Sequence, residues 1–136
     1  MTHAVLIVDD EATLARNLAA YLERNGFDVR VAGSGEEGLQ QFAEFRPDVV
    51  LLDHNLPGIS GLEAMEILGA DPATANIPII ALSANAVTRD IEKALEAGFF
   101  NYLTKPIKVN EFMDALHLAL EFSKTASARA AEKEKT

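Results

Sequence analysis

The sequence predicts an α/β domain built on a doubly wound, five-stranded parallel sheet of order 2-1-3-4-5. Three observations carry that prediction. Strand-like and helix-like segments alternate five times along 136 residues, which is the pattern of a parallel sheet with helices on both faces. The first and third strand segments, AVLIV and VVLL, are apolar without alternation, so both read as buried on both faces and central. The second, FDVRVA, alternates apolar and polar residues and reads as an edge strand with one wet side. Right-handed crossovers leave few other topologies.

Residues 4–8 form the first strand and run into Asp9, Asp10 and Glu11. Residues 11–25 carry Leu14, Leu18 and Leu22, with Ala15 and Ala19, at helical spacing, and Gly26 supplies the stop. Asp10 is a candidate N-cap, with Thr13 at the third helical position. Residues 27–32 form the second strand. Ser34 and Glu37 make a capping box for a helix with Leu39, Phe42 and Ala43 inward, ending before Pro47. Residues 49–53 form the central strand, and Pro57-Gly58 forces a turn after it. Ser60 and Glu63 make a second capping box for a helix with Leu62, Met65 and Leu68 inward. Residues 71–76 read as a polar loop, and residues 77–83 as the fourth strand. A helix over about residues 86–97 stops at Gly98, and residues 99–104 form a short fifth strand broken by Lys105-Pro106. The last helix starts near Val109 with Phe112, Leu116, Ala119 and Leu120 on its core face. The domain is expected over residues 1–124. Residues 125–136 form a tail that either extends the last helix or frays; its lack of apolar anchors favours fraying.

Composition excludes several functions. The net charge of −9 argues against a nucleic-acid-binding surface, which would be basic. With no cysteine there is no disulfide, thiolate nucleophile or Cys-type zinc site. No apolar run approaches the roughly 18 residues of a membrane span, and the first strand begins too early for a signal peptide. The expectation is a cytoplasmic domain without nucleic-acid or membrane partners.

In open parallel sheets, ligands bind at the carboxyl ends of the strands. With the first and third strands adjacent, Asp9, Asp10 and Asp53 converge at that edge. Three neighbouring carboxylates repel unless a cation neutralises them, and Mg²⁺ suits oxygen ligands of this kind. Ser83 ends the fourth strand with a hydroxyl donor, and Lys105 ends the fifth with an ammonium. A carboxylate nucleophile, a metal, a hydroxyl and an ammonium are the parts of phosphoryl transfer. Asp53, on the central strand, is the candidate nucleophile; Asp9 and Asp10 are left for the metal.

The motifs VLIVDDE, DVVLLD, LPGISG, LSANA and YLTKP, at five strand ends, resemble the receiver domains of two-component response regulators over residues 4–122. The resemblance implies a flavodoxin-like three-layer sandwich. It implies a phosphorelay domain that takes a phosphoryl group from a histidine kinase or histidine phosphotransfer protein onto Asp53, and that is not otherwise an enzyme. It implies Mg²⁺ held by Asp10, Asp53 and the Asn55 carbonyl, with Asp9 acting through water. It implies Ser83 and Lys105 on the phosphoryl oxygens, a cis Lys105-Pro106 bond, and a switch in which Ser83 and Tyr102 move to reshape a surface for a downstream protein. LSANA is shared by stand-alone receivers and those of hybrid histidine kinases, so both remain open. The chain departs from the family at His54, where an apolar residue is usual, and at Lys108, where Asp or Ser would cap better.

Three other functions compete. A flavin-binding domain of this fold needs a Gly/Ser/Thr-rich phosphate loop after the first strand, where this chain has Asp-Asp-Glu. A haloacid-dehalogenase-like phosphohydrolase needs Asp-x-Asp there, and Glu11 stands in place of the second Asp. A receiver-like module that works without phosphate would not need the complete set of parts.

Overall fold

A computed structural model describes residues 3–53, 61–70, 77–84 and 88–134. The elements alternate as β1 (Ala4–Val8), α1 (Ala12–Arg24), β2 (Asp28–Ala32), α2 (Gly35–Phe45), β3 (Val49–Asp53), α3 (Gly61–Ala70), β4 (Ile79–Ser83), α4 (Thr88–Glu96), β5 (Asn101–Thr104) and α5 (Val109–Glu134). All pairings are parallel, and the order is β2-β1-β3-β4-β5.

Successive strand side chains point to opposite faces, so each central strand feeds two cores. Val5, Ile7, Val49, Leu51, Ile80 and Leu82 pack with Ala15, Ala19 and Leu22 of α1 and Phe112, Ala115, Leu116 and Ala119 of α5. Leu6, Val8, Val50, Leu52, Ile79 and Ala81 pack with Phe42 of α2, Ala64 of α3 and Ala94 of α4. The result is three layers. β2 lies at one edge, where Asp28, Arg30 and Val31 are exposed.

Several local details differ from the sequence reading. The α1 N-cap is Glu11, without a side-chain cap, so Asp10 does not serve there. Instead Asp9 Oδ1 accepts from Glu11 N at 2.9 Å, because the carboxylate two residues upstream closes the turn. Ser34 Oγ accepts from Glu37 N at 3.2 Å, but Glu37 Oε2 reaches one residue further back, to Gly33 N at 3.1 Å. Ala43 is exposed, while Gly35, Gly38 and Phe42 carry the buried face of α2. The cause is close approach of α2 to β1: a Cβ on Gly38 would lie 2.9 Å from Val8 Cγ2. The helix is thereby rotated so that its glycines, not Ala43, meet the sheet.

Helix closure also trims two strands. Phe27 N donates to Leu22 O and Phe99 N to Ala94 O, with Gly26 and Gly98 at positive φ, so β2 and β5 begin later than the apolar patterns suggest. β4 begins at Ile79, just after Pro78, which has no N–H to donate. α5 is continuous to Glu134, through the boundary expected at residue 125. His54, Asn55, Pro57-Gly58, Ser60, the loop over 71–76, and residues 85–87 at the expected start of the fourth helix lie outside the described residues, as do the side chains of Leu62, Met65 and Leu68.

Candidate functional site

The register of the sheet builds the site. Val8 pairs with Leu52, so the next residues, Asp9 and Asp53, stand side by side at the carboxyl ends of β1 and β3. Asp9 N donates to Ala32 O at 3.0 Å, which anchors its backbone to β2. Ser83 ends β4 and Lys105 follows β5, with Lys105 N donating to Ser83 O at 2.7 Å. The Lys105-Pro106 peptide bond is cis.

One carboxylate oxygen from each of Asp9, Asp10 and Asp53 lies within 4.8 Å of the others. Asp9 and Asp53 are 1% and 5% exposed, and Ser83 is 1% exposed, whereas Asp10 is open to solvent. Lys105 Nζ reaches into this cluster, 3.1 Å from Asp9 Oδ2, 3.0 Å from Glu11 Oε1 and 3.4 Å from Asp53 Oδ2. Burial of the ammonium works against its charge. The hydrogen bond to Glu11, the close Asp9 carboxylate and the charge of Asp53 outweigh it, so Lys105 is held above the ordinary lysine pKa. Among the described residues, Asp9 Oδ2 accepts no hydrogen bond of good geometry, although Lys105 stands within ion-pair range. A buried carboxylate oxygen in that state, beside two further carboxylates, fits a hard divalent cation with oxygen ligands.

Tyr102 lies on the α4 side of the sheet, in the cluster that holds Ala94 and Phe99, with Ile91 packed against it. Its backbone pairs with Ala81 of β4, two residues before Ser83. Asn55, expected among the metal ligands, lies outside the described residues, as does His54. The sequence places Glu11 at the start of a helix and in the Asp-Asp-Glu run, with no role in the site, and the structure brings it to Lys105. The signal was present as the third acid of VLIVDDE, but its partner is 94 residues away.

Residues 5–117 match the family model for the response regulator receiver domain. The chain belongs to that family. The receiver is 41% identical over 113 residues to the DNA-binding response regulator MtrA of Mycolicibacterium paratuberculosis, covering 83% of this chain and 49% of the relative. It is 37% identical over 123 residues to the transcriptional regulatory protein KdpE of Mycobacterium tuberculosis, covering 90% of this chain and 53% of the relative. The receiver thus spans about half the length of the curated relatives it matches. Its fold superposes on a response regulator receiver domain protein from Clostridium thermocellum with TM-score 0.83 and 29% identity, covering 91% of this chain and 98% of that one.

These relatives correct one expectation. The net charge of −9 led to a domain without a nucleic-acid partner, yet MtrA is a DNA-binding regulator and KdpE a transcriptional one. The physical reason is scope. Surface charge governs what this domain touches directly, and does not bear on what a regulator contacts through another part of its length. Among the described residues, no helix is long and apolar enough to cross a membrane.

Proposed function

We propose that the receiver accepts a phosphoryl group onto Asp53 from the phosphohistidine of a histidine kinase or histidine phosphotransfer protein. The observation that carries this is the juxtaposition of Asp53 Oδ2 and Lys105 Nζ, 3.4 Å apart in the buried end of the sheet, beside the Asp9 and Asp10 carboxylates. An Asp53 oxygen attacks phosphorus. The P–O bond forms as the P–N bond of the donor breaks, and the imidazole nitrogen keeps the electron pair. The Lys105 ammonium and the Ser83 hydroxyl lie at the same edge to hold the phosphoryl oxygens. Mg²⁺ would be held by Asp10, Asp53 and the Asn55 carbonyl, with Asp9 acting through water, and would neutralise charge on those oxygens. Later attack by water on phosphorus returns Asp53 to its carboxylate. The domain therefore assists its own phosphorylation and dephosphorylation and needs no other substrate.

The names of MtrA and KdpE favour an output at DNA over the receiver of a hybrid kinase. This domain's own charge would repel the DNA backbone, so its part is to change a protein surface that another segment of such a regulator reads.

The test is to incubate wild type and Asp53→Asn with phosphoramidate and Mg²⁺ and follow acid-labile phosphate by intact mass. Labelling of wild type alone is expected. Equal labelling of both would remove Asp53 from the role.

A further inference from the structure

The geometry points to Glu11 as a positioning residue that holds Lys105 at the rim of the acidic pocket and so keeps the ammonium from competing with an incoming divalent cation. The inference rests on the reading of Asp9, Asp10 and Asp53 as a Mg²⁺ site.

The Lys105 side chain is only 12% exposed, so its charge depends on the partners around it. Of the three carboxylates it meets, Glu11 is the shortest contact, at 3.0 Å, and a properly directed hydrogen bond. The Asp53 bond is longer, at 3.4 Å, and the Asp9 contact at 3.1 Å is poorly directed. The ammonium sits between these acids, and its shortest directed hydrogen bond is to Glu11. Glu11 sits where a fixed post would have to sit. It is the N-cap residue of α1, and its amide is bonded to Asp9 Oδ1, so the backbone that carries it is tied to the pocket wall. Its side chain is 59% exposed, outside the carboxylate cluster.

A divalent cation among Asp9, Asp10 and Asp53 repels an ammonium that already touches Asp9 and Asp53. The ammonium must withdraw without leaving the site, because the reaction needs it near Asp53. Glu11 offers a carboxylate for that withdrawn position. Without its reach, Lys105 has only Asp9 and Asp53 of this set to settle on, and there it stands in the cation's way.

Charge and reach are separable. Glu11→Asp keeps the charge and loses the reach, and Asp is the better N-cap, so the fold is expected to hold. Calorimetric titration of the metal-free protein with Mg²⁺ is the measurement. Glu11→Asp and Glu11→Gln should each weaken binding by about three-fold or more, within the coupling seen between contacting residues. In a Lys105→Met background Glu11→Asp should have no effect, because the competitor is gone. NMR of the Lys105 ε-methylene in metal-free protein gives a second readout, and Glu11→Asp should shift it. If Glu11→Asp binds like wild type and only Glu11→Gln is weaker, to the same extent in both backgrounds, Glu11 is merely a nearby charge and the proposal fails. An unmoved Lys105 signal overturns it too. A wild type that takes up no Mg²⁺ overturns the reading of the site itself; uncoupled variants of a protein that does bind Mg²⁺ overturn the role of Glu11 alone.

Discussion

Lys105 Nζ stands 3.4 Å from Asp53 Oδ2 although a whole strand, β4, lies between their backbones. The long lysine stem spans it, and the ammonium then neutralises acids from β1 and β3 together. With the Lys105 contacts to Asp9 and Glu11, which also cross β4, it makes the charge state of Lys105 a property of the whole sheet edge.

Alkaline pH should expose that dependence. The folded pKa of Lys105 is raised above the unfolded value, which is about 10.4. The stability this contributes is complete below about pH 10.4 and is lost as pH rises through the folded value. The stability difference between wild type and Lys105→Met should therefore be constant from neutral pH to about pH 10 and shrink above it. Urea titrations of both proteins at a series of pH values measure this; a difference that stays flat into strong alkali contradicts it.

Mg²⁺ should raise the melting temperature, because a cation that binds only the folded state stabilises it by mass action. At ten times its Kd the gain is about 1.4 kcal/mol, which is several degrees for a domain of this size. Asp10→Asn removes the solvent-open carboxylate of the cluster, and should abolish most of the gain while leaving the metal-free melting point nearly unchanged. Scanning calorimetry with Mg²⁺ and with chelator decides it. An undiminished gain in the variant takes Asp10 out of the metal shell.

Gly38→Ala should destabilise the receiver despite the better helix propensity of alanine. The propensity gain is about 1 kcal/mol. Against it, the new methyl would meet the buried, β-branched Val8 at 2.9 Å. Overpacking of this kind costs about 1–3 kcal/mol. A net loss of up to about 2 kcal/mol is expected in urea unfolding. Because Val8 directly precedes Asp9, Mg²⁺ affinity should fall as well. A more stable variant would show that α2 can move off β1 without cost.

Ser83 and Tyr102 should move together when Asp53 is phosphorylated. A phosphoryl group on Asp53 should draw the Ser83 hydroxyl inward through a charge-assisted hydrogen bond. Tyr102, buried with Ala94 of α4, should then rotate into the space released. Phosphorylation only biases populations already present, so the free protein should sample the inward state. NMR of the Mg²⁺-bound protein with and without beryllofluoride tests this. Shifts confined to residues around Asp53, with Tyr102 and α4 unmoved, would show that this face carries no signal.

The sheet and the edge where the acids gather were legible in the sequence because both depend on local patterns. An unbroken apolar run marks a strand covered on both faces, and an alternating one marks an edge. Once VLIV and VVLL are neighbours, the acids that follow them must meet. The tertiary structure alone decided what depends on how elements dock. Ala43 matched the helical stripe of α2 as well as Gly38 did, but the approach to Val8 set the rotation of that helix and left Ala43 in solvent. Asp10 matched a cap, but Asp9 took the Glu11 amide because the end of β1 aims its carboxylate there. Glu11 looked like any first-turn acid until the end of β5 brought Lys105 to it from 94 residues away. Periodicity is written along the chain; helix rotation and the choice among competing carboxylates are set by packing between segments far apart in sequence.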